Sequence, residues 1–329
     1  MKILFLSQSS GSQNSVNDYM HDIVFHGLKK IYGDSIIDYP GVWYMYKDEV
    51  KKQNYNIKNL WGKGFTLYNL LEGYDKIDRE NIKDKIVNNY FDIIIYGAIH
   101  TTKTFLENAL ISKSKLIFID GSDSSFINKE LIGKGLYFKR ELYENISDHI
   151  YPISFAVPEE KIMTDINHKP NHILAPLIPG KNSTYNFNDE TDYYEMYQDS
   201  IFALTYKKIG WDTLRHCEIL MNGTIPLFLD IENCPENTLY YYPKDLLKDI
   251  NKKYSYILNR FSPFKIYKSR FLTSHKIYLY LKDYFKKNNT ASELLNKYPE
   301  IYEIKKNLLN FTKKNLTSEV MVNNILKKI

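Results

Sequence analysis

The sequence predicts an α/β protein in two parts, each built on parallel strands. Three observations carry that prediction. Asp92–Tyr96 (DIIIY) and Lys115–Ile119 (KLIFI) are short, almost unbroken apolar runs, the pattern of parallel strands covered on both faces. Strand, loop, helix and strand patterns follow one another at the N-terminus and again over Ile201–Leu229, the order of an α/β layer. The length of 329 residues corresponds to two domains at about 150 residues each.

The elements follow in order. Lys2–Leu6 is a short buried strand, and Ser7–Ser15 is a polar loop containing Gly11. Val16, Met20, Ile23, Val24, Leu28 and Ile31 recur at helical spacing up to Gly33, which can stop the helix. Ser35–Tyr39 is a second strand, ended by Pro40. The first loop lacks GxGxxG spacing, so NAD or FAD binding is not expected. After Asp92–Tyr96 come a loop over Gly97–Thr102 and a helix through Leu110. Lys115–Ile119 carries Asp120-Gly121-Ser122-Asp123 at its carboxyl end, where open parallel sheets hold their ligands. Ile150–Val157 is a further apolar stretch, and a helix is expected near Glu159–Met163. Asn167–Pro179, with three prolines and two histidines, reads as a connector. The expected domains are therefore 1–168 and 169–329.

In the second part Asp189–Ser200 is a polar, tyrosine-rich helix pattern. Ile201–Tyr206 is a strand, Lys207–Trp211 a loop, and Asp212 stands where an N-cap belongs ahead of a helix over Thr213–Asn222. Gly223 takes the C′ position, and Thr224–Leu229 is the next strand. From Pro263 to Ile329 the pattern is mainly helical, with Tyr278, Leu279, Leu281, Tyr284 and Phe285 on one apolar face and Leu294, Ile301, Ile304 and Leu308 on another.

Composition narrows the function classes. With 43% hydrophobic and 25% charged residues, the chain is an ordinary globular sequence, not a disordered, collagenous or coiled-coil one. No apolar run approaches the ~20 residues of a membrane span. The first residues turn polar at Ser7, too soon for a secretory segment, so a cytoplasmic location is expected. Cys217 and Cys234 fit a reducing compartment and lack metal-ligand spacing. There is no Asp-x-Asp motif, and no metal is expected. The net charge of +5 hides an asymmetry: residues 251–329 hold 17 Lys+Arg against 5 Asp+Glu, and the remainder is net acidic. Such a stretch suits an anionic partner, namely membrane lipid at the inner face, a phosphorylated glycan or, less expected, nucleic acid; solvated lysine-rich helices are the plainer explanation. The 29 tyrosines suit carbohydrate recognition and core packing alike.

The segment 205–226 concentrates the chemistry. A helix N-terminus at the end of a parallel strand offers free N–H groups and a positive dipole end to an anion. Lys207 and Lys208 stand just before it, and Gly210 lets backbone approach a ligand closely. Arg215 and Glu218, three apart, share a helix face. A guanidinium can grip phosphate oxygens as a fork, and a carboxylate can accept from a sugar diol. A surface ion pair between the two is the alternative.

The run SIFALTYKKIGWDTLRHCEILMNGTIPLFLD, Ser200 to Asp230, resembles the nucleotide-sugar half of GT-B glycosyltransferases, most closely the exostosin-like and spore-coat-type bacterial enzymes. Ser200, Phe202 and Leu204 match the opening of their pattern, Thr213, Arg215 and Glu218 its middle, and Gly223, Ile225 and Pro226 its end. Two departures stand out: the family's Pro-x-Gly becomes Tyr206-Lys207-Lys208, and the Ala after the Glu becomes Ile219. The resemblance implies two Rossmann-like domains facing a cleft, the acceptor side N-terminal and the donor side C-terminal, with the last helix, Ser318–Ile329, returning to the first domain. It implies that Arg215 contacts the donor diphosphate and Glu218 the ribose, while Gly210 and the amides around Trp211, Asp212 and Thr213 line the phosphate loop beside Lys207 and Lys208.

The implied activity moves a sugar from a nucleotide-diphosphate sugar, UDP-linked first, to a hydroxyl of a glycan, lipid or protein, bacterial surface glycan included. No cofactor beyond that co-substrate is expected. A catalytic base is expected in the N-terminal domain, with Asp123, Asp120 and His100 as the candidates. Asp120 also suits a turn or cap, and His100 a structural role. Asp18 suits the start of the first helix, and His21 lies beside it. Lys139-Arg140-Glu141 could meet an anionic acceptor or form an exposed strand edge. His216 could touch the donor or pack within its helix. Two other classes compete: a GT-B-like shell that binds nucleotide or sugar without transfer, and a DNA-modifying glucosyltransferase that uses the basic C-terminal stretch.

Overall fold

The computed structural model describes residues 1–8, 18–55, 65–144, 146–253 and 290–329, together with 276, 278, 279, 282 and 283. Gly11 of the first loop, Val16 of the first helix pattern, Leu281, Tyr284 and Phe285 of the C-terminal pattern, and much of the basic stretch lie outside the described residues.

The chain divides into two compact units. One comprises Met1–Glu159, Pro235–Tyr241 and Leu316–Ile329, the other Glu160–Cys234 and Tyr242–Asn315. The sequence expectation sets the boundary at residue 168; the first stretch of unit one ends at Glu159.

Unit one is a six-stranded, all-parallel sheet of β1 (Ile3–Leu6), β2 (Ile36–Tyr39), β3 (Ile93–Tyr96), β4 (Lys115–Asp120), β5 (Leu136–Lys139) and β6 (Ile150–Pro152), in the order β2-β1-β3-β4-β5-β6. Its helices are α1 (Tyr19–Tyr32), α2 (Lys47–Gln53), α3 (Ile82–Val87), α4 (Leu106–Ile111) and the chain's last helix, α10 (Ser318–Leu326). Every residue of β1 and β3 is buried, as a sheet covered on both faces requires. Successive side chains alternate between faces. Leu4 and Leu6 join Ile94, Tyr96, Ile82 and Ile86 in one core layer, while the Phe5 ring packs 5.1 Å from that of Phe25 in α1. The strand order reverses between β1 and β3, which opens a crevice at their carboxyl ends.

Helix α1 begins where Asp18 caps it, accepting hydrogen bonds from the amides of Met20 (2.9 Å) and His21 (3.2 Å). It packs along α10. Gly27 makes that approach possible: a Cβ there would lie 2.7 Å from both the carbonyl carbon of Ser318 and Cγ2 of Val322. His26 Nδ1 meets Ser318 Oγ at 2.8 Å beside it.

Unit two holds a three-stranded parallel sheet, β7 (His172–Leu174), β8 (Ser200–Tyr206) and β9 (Ile225–Leu229), in that order. Its described helices are α5 (Glu190–Gln198), α6 (Leu214–Met221), α7 (Lys244–Lys253), α8 (Ala291–Lys297) and α9 (Glu300–Asn315). Helix α6 crosses from β8 to β9, and α9 packs on it. Gly223 ends α6 with φ +67° and donates to the Leu220 carbonyl at 3.0 Å, as the sequence predicts.

Some local expectations need correcting. The connector contains strand β7. The stretch Ile150–Val157 forms a strand only to Pro152, and the helix expected near Glu159 is a single 3-10 turn, Glu159–Lys161. Lys139-Arg140-Glu141 is no exposed edge: it ends β5, an inner strand, and all three residues are buried.

Candidate active site

Two clusters of the expected residues form, one in each unit, both at carboxyl ends of parallel strands. In unit two, β8 ends at Tyr206 and the chain turns through Lys207–Trp211 into α6. The Lys208 amide donates to the Gly210 carbonyl at 3.0 Å, which tightens the turn and leaves Ile209 exposed at its tip. The Lys207 ammonium lies 4.9 Å from the centre of the Trp211 ring, within cation–π reach. The N-cap is Thr213 rather than Asp212. Thr213 has the extended backbone of a cap (φ −134°, ψ 142°), and the His216 amide closes the first turn on its carbonyl at 3.0 Å. Asp212 is fully buried just before it.

The Thr213 side chain makes no capping bond to the first-turn amides of α6, the groups through which a helix start attracts anions. Among the described residues, Thr213 Oγ1 and Arg215 Nε are buried without a hydrogen-bond partner. Native interiors rarely leave such atoms unsatisfied. Arg215 stacks its guanidinium 5.2 Å from the Tyr185 ring centre. Burial works against its charge, but Tyr185, Tyr197, Tyr193 and Glu218 outweigh that and raise its pKa. Glu218, one turn on, accepts from the Tyr193 phenol at 2.6 Å.

His216 supports the loop from beneath. Its Nε2 lies 3.0 Å from the Trp211 carbonyl and its Nδ1 2.9 Å from Thr205 Oγ1. A carbonyl can only accept, so Nε2 carries the proton and Nδ1 accepts from the Thr205 hydroxyl. The imidazole is fully buried and packs 4.5 Å from the Phe228 ring. Of its two expected roles, the geometry shows packing.

In unit one the carboxyl ends of β3, β4 and β5 and the start of α1 assemble a charged cluster. Asp120 accepts from the Tyr137 phenol (2.7 Å) and the Ser122 hydroxyl (2.8 Å), and its Oδ1 lies 2.9 Å from the Lys139 ammonium. Burial would raise the Asp120 pKa, but Lys139, Tyr137 and Ser122 outweigh it and lower the pKa. His100, part-exposed, stands between two carboxylates: Nδ1 is 3.6 Å from Asp120 Oδ1, and Nε2 is 3.4 Å from Asp18 Oδ2. Asp123 pairs with Arg140, whose Nε donates to the Gly121 carbonyl at 2.8 Å. His21 turns away to Asp22, at 2.8 Å.

The structure thus groups His100 with Asp120 and with Asp18, a pairing that sequence distance hides. It also supplies partners that sequence reading missed: Tyr137 and Lys139 for Asp120, Tyr185 for Arg215 and Tyr193 for Glu218. Among the described residues, no three or more His, Cys, Asp or Glu are arranged to hold a metal ion, and no helix is long and apolar enough to cross a membrane.

The fold is mixed α/β with two parallel sheets, and it is GT-B-like. A glycosyltransferase from Rickettsia africae ESF-5 superposes with a TM-score of 0.50 at 12% identity, covering 99% of this chain and 97% of that one. An alpha-glucosyltransferase, solved in complex with UDP-glucose and DNA containing an abasic site, gives 0.45 at 9% identity, covering 99% and 98%. At 12% identity the likeness to the Rickettsia enzyme is one of fold. No protein-family model matches the chain, and no curated protein matches it.

Proposed function

We propose that the chain is a glycosyltransferase that moves a sugar from a nucleotide-diphosphate sugar, UDP-linked first among donors, to a hydroxyl acceptor. The observation that carries this is the start of α6. A helix N-terminus that the Thr213 side chain does not cap, an arginine with a buried unpartnered Nε and a buried unpartnered Thr213 hydroxyl converge at the end of a parallel strand. The GT-B-like fold supports it. Arg215 would hold the diphosphate, with Lys207, Lys208, Gly210 and the amides of Trp211, Asp212 and Thr213 around it, and Glu218 would accept from the ribose hydroxyls. These groups neutralise the charge that grows on the leaving diphosphate, which is electrostatic stabilisation of the transition state.

Among the base candidates His100 is favoured. Asp120 has a lowered pKa and is the weaker base for it, and Asp123 is tied to Arg140. His100 takes the acceptor's hydroxyl proton on the ring nitrogen that carries none. The acceptor oxygen bonds to the anomeric carbon, and the bond from that carbon to the diphosphate oxygen breaks with its electron pair. Asp18 and Asp120 offset the charge of the imidazolium that forms. The acceptor is a hydroxyl of a glycan, lipid or protein, and the basic stretch 251–329 supports a peripheral contact with an anionic membrane surface. No cofactor is assigned beyond the co-substrate.

A thermal-shift panel of UDP, GDP, CMP, ADP and TDP tests the donor half. A ligand at 100 times its Kd stabilises by about 2.7 kcal/mol, and one nucleotide is expected to stand out. Release of UDP from UDP-glucose, with water as acceptor, tests the chemistry. His100→Ala should abolish it while leaving the nucleotide shift in place. Binding without any release would favour the non-catalytic shell.

A further inference from the structure

The amino ends of the parallel strands in unit one make a face of their own, opposite the charged cluster at the carboxyl ends. Ile3, Ile93 and Lys115 are in register across β1, β3 and β4, so the residues that lead into these strands stand side by side. The Asp92 amide donates to the Lys2 carbonyl and the Lys115 amide to the Asp92 carbonyl, both at 2.9 Å. A crossover helix that feeds a parallel strand ends near that strand's amino end. The ends of α3 and α4 therefore bring Val87, Tyr90 and Ile111 to the same face. The Lys113 amide donates to Asn89 Oδ1 at 2.7 Å and joins the two turns.

Apolar and basic side chains meet there. Ile111 is 81% exposed, Val87 51% and Tyr90 40%. A single exposed apolar residue is ordinary; three that share one face with a set of lysines mark an interaction site. Lys2, Lys113 and Lys115 are all exposed, and the Lys2 ammonium lies 3.7 Å from the centre of the Tyr90 ring. The end of α10 adds the exposed Lys327 and Lys328, and Lys115 Nζ donates to the Ile329 carbonyl at 3.4 Å. The acidic group in the middle of the face, Asp92, accepts from the Lys2 amide at 2.6 Å. Asp34 and Asp148 lie at the edge strands β2 and β6.

We propose that this face of unit one docks on an anionic bilayer: Val87, Tyr90 and Ile111 enter the headgroup region, and Lys2, Lys113 and Lys115 pair with anionic headgroups. The inference rests on the peripheral membrane contact proposed above and moves its centre from the stretch 251–329 to the base of unit one. A bilayer takes up both kinds of side chain, apolar groups below the headgroups and lysines among them, and a tyrosine ring sits well at that depth. A nucleic-acid backbone offers charge but no place for Val87 and Ile111. A second copy docked face to face would set the same lysines against one another. Because the strands are parallel, docking in this way turns the His100 cluster away from the bilayer.

Co-sedimentation of the full chain with vesicles tests this, using equal parts phosphatidylserine and phosphatidylcholine beside phosphatidylcholine alone. The wild type should bind the mixed vesicles at least about 10-fold more tightly, and the preference should shrink as salt rises. Lys113→Glu with Lys115→Glu should weaken binding by at least about 10-fold. Val87→Ser with Ile111→Ser should weaken it by about 10-fold at low and high salt alike. Should either pair fail to fold, Lys113→Gln alone should still cost about 5-fold. A loss with the lysine pair and none with the apolar pair would overturn the proposal, since any polyanion would bind such a face. Binding that survives both pairs and disappears in Lys313→Glu with Lys314→Glu would also overturn it, while the peripheral contact through the stretch 251–329 would stand. No binding to the mixed vesicles would overturn both.

Discussion

Replacing His216 by alanine removes the link between β8 and the loop that leads into α6. Two buried partners lose their bonds together: the Thr205 hydroxyl at 2.9 Å and the Trp211 carbonyl at 3.0 Å. Each buried polar group left unsatisfied costs about 1–3 kcal/mol. The space left against Phe228, 4.5 Å away ring to ring, adds a cavity cost. The sum is about 3–5 kcal/mol, the range of severe single substitutions. At 2–4 °C per kcal/mol for a unit of this size, the transition of unit two should fall by roughly 10 °C. Scanning calorimetry reads the fall, and ¹⁵N chemical shifts of the wild-type imidazole should report a proton on Nε2. A melting temperature within about 2 °C of wild type, or a proton on Nδ1, would refute this account of the loop. A histidine that only touched donor would instead weaken UDP binding and leave the melting temperature alone.

Three further outcomes follow from packing and burial. Gly27→Ala should lower the urea midpoint: alanine normally gains about 1 kcal/mol in a helix, but here its Cβ must displace the Ser318 backbone, an overpacking cost of about 1–3 kcal/mol. Asp120→Asn should destabilise unit one by about 3–5 kcal/mol, since it strands the fully buried Lys139 ammonium. Adding Lys139→Met should recover most of that loss in equilibrium denaturation. Burial lowers the Lys305 pKa to about 8 from 10.5, so between those values the unfolded chain binds more protons than the folded one. Stability contributed at this site is therefore lowest below pH 8 and rises toward pH 10.5. Lys305→Met should lack that rise when the two proteins are denatured in parallel across the window.

Legibility followed the physics of each element. The strands β1, β3, β4, β8 and β9 could be read because almost all their residues are buried and their runs are mainly apolar, and the α/β class followed from them. β5 was missed because LYFK ends in Lys139, a charge that Asp120 and Ser122 make tolerable inside. β7 was missed because three residues, one of them His172, carry too little pattern. The N-cap shifted from Asp212 to Thr213 because residue type alone ranks Asp above Thr, while the backbone fixed where the turn closes. At the site, Arg215 and Glu218 stood out by spacing. Their tyrosine partners did not, since Tyr185 and Tyr193 lie about thirty and twenty-five residues away along the chain, and pairing at such a distance needs the fold.

The proposed donor site at the start of α6 is tested most directly by titrating UDP into wild type and Arg215→Ala by calorimetry. With the guanidinium removed, affinity should fall by at least about 10-fold, which is 1.4 kcal/mol. Equal affinity in the two proteins would contradict a diphosphate site at Arg215.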